Sequence, residues 1–142
     1  MSHVGVMVDS VDIVESLTTT VRRAFQPAKG TWAARRNALT DGERKAIVTK
    51  ALSYAGRRYG WLKLIAHAVD YLLFRSRYVA RRFLFMDNYP ICSWVVAYSY
   101  QAAGLSFGVP ANQADPDDIW DWVEGHPEEW HLMEVGICPD RR

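Results

Sequence analysis

The stretch Tyr89-Pro90-Ile91-Cys92-Ser93-Trp94-Val95-Val96-Ala97-Tyr98-Ser99-Tyr100-Gln101-Ala102-Ala103-Gly104 carries its own start and stop. Proline suits the first position of a helix, where its missing N–H costs nothing, and glycine suits the left-handed residue that ends one. The spacing predicts a helix that opens at Pro90 and stops at Gly104. Val95, Val96, Ser99 and Ala103 recur at helical intervals and form a small, apolar face that can pack closely on a sheet. Cys92 falls in the first turn, where unsatisfied N–H groups and the positive end of the macrodipole favour an anion and push a thiol toward thiolate. Two readings stay open from this stretch: Cys92 is a nucleophile, or it is one more small buried residue, as free cysteines commonly are.

Moving outward to the N-terminus, His3-Val4-Gly5-Val6-Met7-Val8 and Val11-Asp12-Ile13-Val14-Glu15-Ser16 are β-rich runs around Asp9-Ser10, which predicts a hairpin. A three-residue loop Val8-Asp9-Ser10 sets Met7 opposite Val11, Gly5 opposite Ile13 and His3 opposite Glu15, within reach of a carboxylate–imidazole contact. A two-residue loop puts Glu15 across from Val4, on the other face from His3. Both registers fit the sequence. His3 is otherwise a fraying terminal residue.

Residues 26–39 show no clear period and read as a loop. Thr40-Asp41-Gly42-Glu43 is a capping box opening a helix to about Ala55, with a turn at Gly56-Arg57-Arg58-Tyr59-Gly60. Residues 61–73 form a broad apolar helical face with Lys63, His67 and Asp70 on its polar side. Arg75, Arg77, Arg81 and Arg82 alternate with aromatic and aliphatic residues up to Met86, either to grip a polyanion with stacking or to lay arginine stems over a core helix. Asp115-Pro116-Asp117-Asp118 starts a helix that Gly125 ends, and Trp130–Val135 reads as a last strand. His126 and His131 are rival bases to His3. Helices with a small, mostly antiparallel sheet make this an α+β chain.

The 142 residues suit a single domain over 1–142, with 49% hydrophobic residues and six tryptophans arguing against disorder. Cys92 and Cys138 form neither a metal-type spacing nor a disulfide framework, so reduced thiols, no metal and no cofactor are expected. No apolar run approaches the roughly 20 residues that cross a bilayer, and no signal-peptide layout opens the chain, which gives a soluble, cytoplasmic expectation. Net charge is +1, but residues 22–82 hold fifteen Lys or Arg against Asp41, Glu43 and Asp70, a net +12. Residues 83–142 hold Arg141 and Arg142 against ten acids, a net −8. The basic part can meet a polyanion, or the two parts can face each other and neutralise.

A Ser-His-Val-Gly-hydrophobic strand, a second strand ending Val14-Glu15, the Arg58-Tyr59-Gly60 turn, a Cys92-Ser93-x-x-Val-x-x-x-Tyr helix and the x-Pro116-x-Asp118 helix start, in that order, resemble the permuted papain-like cysteine hydrolases. The nearest branch is the YiiX-like group of NlpC-type amidases and endopeptidases, bacterial or phage proteins. The resemblance spans about residues 2 to 120 through short motifs. It implies a circularly permuted papain-like fold with Cys92 as nucleophile, His3 as base and Glu15 orienting the imidazole. It also implies Tyr59, Ser93 and Trp94 lining the oxyanion and substrate side. Family members usually carry a Gly-Asp-hydrophobic strand before the Ser-His segment, and here the sequence begins at Met1-Ser2. Cys-Ser-Trp stands where Cys-Ser-Glu or Cys-Ser-Gly is commoner. The implied activity is thiol hydrolysis of an amide, as in a peptide or peptidoglycan stem peptide, or of a related ester. The alternative is a non-catalytic papain-like scaffold that holds a polyanion through residues 57–82.

Overall fold

The computed structural model describes residues 3–58 and 90–135. The helix expected over 61–73, the basic-aromatic stretch to Met86 that suits a second helix or a long connection, with its Arg75, Arg77, Arg81 and Arg82 cluster, and His67, Tyr59 and Cys138 lie outside the described residues. Within them the chain is a mixture of helices and small antiparallel sheets: β1 (Gly5–Met7), β2 (Asp12–Ser16), β3 (Thr20–Ala24), β4 (Thr31–Arg36), α1 (Asp41–Leu52), α2 (Cys92–Gln101), α3 (Pro116–Gly125) and β5 (Trp130–Val135). One sheet runs β1-β2-β3 and the other pairs β4 with β5. No described helix is long and apolar enough to cross a membrane.

Helix boundaries follow from capping. Thr40 accepts from the Glu43 N–H at 3.3 Å while the Glu43 carboxylate takes the Thr40 N–H at 2.8 Å, so two orphan donors are satisfied at the start of α1. Asp115 and Asp118 do the same for α3, with Pro116 at its first position. The end of α2 closes through Gly104 N–H to Gln101 C=O (2.9 Å) and Leu105 N–H to Tyr100 C=O (3.1 Å), with Gly104 at φ +76°. This Schellman geometry needs the left-handed residue that glycine supplies. The start of α2 differs from expectation. The helix opens at Cys92 with Ile91 extended as its N-cap (φ −101°, ψ 165°), so Pro90 precedes the helix rather than beginning it.

Pro90 is held outside the helix by a buried chain of hydroxyls. Thr20 Oγ1 donates to Ser16 Oγ at 3.0 Å, and Ser16 Oγ donates to the Pro90 carbonyl at 3.3 Å. All three residues are buried. The chain fixes the lead-in of α2 to the end of β2 and the start of β3. Gly56 N–H to Thr20 O and Thr20 N–H to Arg57 O, each 2.8 Å, then fix the turn after α1 to the same strand.

Helix α2 is the hub, packing on α1, α3, β1 and β2. Its Val95, Val96 and Ala97 join Val6 and Val14 from the hairpin, Ile47, Ala51 and Tyr54 from α1 and its following turn, and Ile119, Val123 and Trp130 in one core. Ser99, wholly buried, returns its hydroxyl to the Val95 carbonyl at 2.5 Å and so costs the core no unpaired polar group.

Two strands were not anticipated. β3 reads TVRRA and is mostly exposed, β4 reads TWAARR with half its residues exposed and none buried, and neither shows the apolar alternation that marks a half-buried strand. β4 fills part of the expected 26–39 loop and pairs with β5 in register Thr31↔Val135 to Arg36↔Trp130. It also brings basic and acidic parts of the chain together, with Arg36 Nη2 to Glu129 Oε2 at 3.0 Å.

Removing the middle hydroxyl tests the hydroxyl chain. Ser16→Ala leaves the Thr20 hydroxyl and the Pro90 carbonyl without their buried partner and is expected to destabilise the fold by about 1–3 kcal/mol. The urea midpoint should fall with an unchanged slope. A midpoint shift worth only a few tenths of a kcal/mol means that the chain carries little.

Candidate active site

The hairpin turn sets the geometry of the site. Asp9 Oδ1 accepts the N–H groups of Val11 (2.8 Å) and Asp12 (2.7 Å), and Arg22 bridges Asp9 and Asp12 at 2.8 and 2.7 Å. The Asp9 carboxylate thus places the three-residue loop at Asp9–Val11, closed by Val8 N–H to Asp12 O at 2.9 Å. The observed register is Gly5↔Glu15, Val6↔Val14 and Met7↔Ile13. It differs by two residues from the expected three-residue-loop register, and it also excludes the two-residue-loop alternative. An even slip keeps every side chain on its face, so His3 becomes the diagonal neighbour of Glu15 instead of its direct opposite.

His3 reaches along that diagonal. Its Nε2 lies 2.7 Å from Glu15 Oε2. The space for this is over Gly5, which faces Glu15 with no side chain. A Cβ at Gly5 would lie 2.8 Å from Ile13 Cδ1 and 2.9 Å from the Val14 carbonyl oxygen. Glu15 Oε1 accepts from Arg23 Nε on β3, and the Glu15 side chain is 6% exposed against 37% for His3. Burial works against the Glu15 anion, but the hydrogen bonds from Arg23 and His3 outweigh it and hold the carboxyl below its ordinary range.

Cys92 occupies the first position of α2 and is 8% exposed. The His3 ring and the backbone N–H groups of Val4 and Ser93 act on its sulfur and favour the thiolate. Burial pushes the thiol up, and these groups together with the charge of His3 pull it further down, for a net lowering. The His3 pKa is raised, foremost by its hydrogen bond to Cys92 against the cost of burial, with Glu15 adding to the rise. With Nε2 engaged by Glu15, the ring nitrogen left for the thiol is Nδ1. A sulfur, an imidazole and a carboxylate therefore stand in series, the arrangement that nucleophilic acyl transfer requires.

Cys92, His3 and Glu15 are thus brought together. Ser93 and Trp94 are placed otherwise: the Ser93 hydroxyl is fully buried and donates to the Ala114 carbonyl at 2.8 Å, and Trp94, 3% exposed, packs edge-on against Tyr98. The side chains of both serve packing, and Ser93 meets the site through its N–H. The rival histidines stand elsewhere. His126 caps the end of α3, its Nδ1 2.6 Å from the Trp122 carbonyl, and His131 is exposed on β5 opposite Arg35. Sequence reasoning missed Arg23 and the Val4 N–H, because both act through a strand register that no single-residue signal discloses. Among the described residues no group of three His, Cys, Asp or Glu side chains is disposed to hold a metal.

The chain matches no family model, no curated protein and no solved structure.

Gly5→Ala tests the diagonal. The backbone carbonyl of Val14 cannot yield as a side chain can, so β1 is expected to move from β2 and carry His3 away from Cys92. Iodoacetamide labelling of Cys92 should slow while far-UV circular dichroism stays near wild type; unchanged labelling would show that the site tolerates the shift.

The Glu15 shift fixes a sign for stability. A carboxylate whose folded pKa is depressed stabilises the fold above its unfolded pKa and loses that contribution as pH falls through the folded value. Glu15→Gln should therefore lower Tm near neutral pH, and the gap to wild type should close on acidification through and below the ordinary carboxylate range, about 4.3. A gap independent of pH would assign the effect to shape alone.

Proposed function

We propose that the protein is a thiol hydrolase that cleaves an amide bond, as in a peptide or peptidoglycan stem peptide, or a related acyl ester, through an acyl-enzyme on Cys92. The observation that supports it most is the Cys92–His3–Glu15 series, in which the thiol is lowered despite burial and the imidazole is raised and held by a buried carboxylate. On this reading the hairpin, followed later by a helix bearing the nucleophile, is the permuted papain-like arrangement implied by the Ser-His-Val-Gly and Cys-Ser-x-x-Val motifs.

The chemistry closes with these groups. Cys92 loses its proton to His3 Nδ1, and the thiolate adds to the substrate carbonyl carbon, forming a C–S bond while the carbonyl electron pair moves to oxygen. The Cys92 N–H lies ahead of the helical ladder, whose bond from Val95 N–H to Ile91 O is the first of α2, and among the described residues it has no backbone partner, so it can face that oxyanion. The His3 imidazolium protonates the leaving amine or alcohol as its bond to carbon breaks. A water deprotonated by His3 then attacks the thioester, and the acid product leaves as the Cys92 sulfur takes back the proton. Glu15 keeps Nε2 protonated and the ring oriented throughout.

The labelling rate decides the matter. Iodoacetamide should alkylate Cys92 much faster than Cys138, with reactivity persisting well below the ordinary thiol pKa of about 8.5. His3→Ala should move the onset of alkylation to higher pH, and Cys92→Ser should abolish turnover of acyl substrates without altering the fold. Equal, slow labelling of both cysteines from pH 5 to 9 would sink the nucleophile and leave a binding scaffold as the better account.

A further inference from the structure

Glu15 divides its two oxygens between opposite partners, Oε2 to His3 Nε2 and Oε1 to Arg23 Nε. Arg23 is opposed to Ile13 across β2–β3, so it is the diagonal neighbour of Glu15 on the same face. His3, Glu15 and Arg23 therefore form one line across three strands. Glu15 is 6% exposed in its side chain and Arg23 is 51% exposed. We infer that Arg23 is a positioning residue of the site, which keeps Glu15 ionised and pins its Oε1, so that His3 carries its proton on Nε2 and presents Nδ1 as the base for Cys92. The inference rests on the thiol-hydrolase reading.

A buried carboxylate beside an imidazole has an alternative to ionisation. It can take a proton and donate it to Nε2, and the neutral ring must then carry its own proton on Nδ1, which removes the lone pair that has to accept the Cys92 proton. Desolvation, the foremost influence on Glu15, drives toward that state, and the Arg23 hydrogen bond is the largest influence against it. A guanidinium has donors only and stays charged, so a carboxyl oxygen bonded to it must be an acceptor.

Charge balance supports the same role. Glu15 and Arg23 cancel, so the four groups sum to zero both as thiol with imidazole and as thiolate with imidazolium. Without Arg23 the array carries one net negative charge, which opposes loss of the Cys92 proton to solvent. No other charge competes for these atoms among the described residues. Arg22, Asp9 and Asp12 form their own cluster, with Arg22 and Asp12 on the other face of the sheet, and the first turn of α2 bears no acid.

The test measures Cys92 alkylation by iodoacetamide on the full chain from pH 4.5 to 9, peptide by peptide, in wild type, Arg23→Ala, Arg23→Gln and Arg23→Lys. Loss of the guanidinium should move the acid limb upward by about one pH unit, so that the labelling rate at pH 5 relative to pH 8 falls about tenfold in Ala and Gln. Lysine, which keeps the charge, should retain the wild-type limb. An unmoved limb in Ala and Gln, or one common loss factor at every pH in all three variants, overturns the inference. Imidazole nitrogen chemical shifts in the wild-type protein give an answer that needs no variant. Above the raised His3 pKa, where the ring is neutral, a proton on Nε2 is expected, and one on Nδ1 overturns the positioning role. If wild-type Cys92 labels as an ordinary thiol, the hydrolase reading fails by that result alone, and the tautomer still decides what Arg23 does.

Discussion

The site depends on the turn that the Asp9 carboxylate closes. By accepting the N–H groups of Val11 and Asp12, Asp9 fixes where the chain reverses, and Arg22 locks the turn by binding Asp9 and Asp12 together. That reversal sets a register in which Val6 and Val14 face α2 while Gly5 faces Glu15. A slip of one residue would exchange the two faces, burying the carboxylate among the core aliphatics and turning Val14 outward. Core packing and the placement of His3 are thus two consequences of one pairing, and neither can be lost without the other.

The second constraint is on α2. A helix that carries a reactive group at its first residue must begin at a fixed point, since a start one residue earlier would rotate that group by about 100°. Here the start is set from outside the helix. The Pro90 carbonyl is taken by Ser16, Ile91 is extended, and Ser93 ties the first turn to Ala114, just ahead of the Asp115 cap of α3. The polar groups around Cys92 are therefore engaged in holding backbone, which leaves the sulfur to face Val4 and His3.

What could be read from the sequence was whatever punctuates itself locally. The capping boxes at Thr40 and Asp115, the glycine stop at Gly104 and the alternation at Trp130–Val135 each lie within a few residues of what they determine, and the structure has them there. The parity of His3 and Glu15 was one of two registers the sequence left open; a three-residue loop gives it wherever the loop falls, and the structure has such a loop. Long-range pairing was not legible. β4 finds its partner about a hundred residues away, and neither β3 nor β4 carries the apolar alternation that would announce a strand. Arg23 carried no signal of its own, because its partner is defined by register alone. Pro90 looked like a helix start because the buried bond from Ser16 that holds it extended comes from far along the chain.

The ionisation of the site and the docking of β1 are linked. His3 lies ahead of a three-residue strand, and a chain end so placed frays unless something holds it. A raised imidazole pKa means that the His3 contacts favour the folded state most below the ordinary histidine value and cease to do so as pH rises through the raised one. Glu15 adds its share only above its depressed pKa, and the lowered thiol of Cys92 adds stability on the alkaline side, losing it as pH falls through the lowered value. The carboxylate and the imidazole thus hold the strand together between the Glu15 value and the His3 value. The contacts that lower the Cys92 thiol are also those that keep His3 from fraying away from it, so order at the hairpin end and ionisation at the helix start are linked.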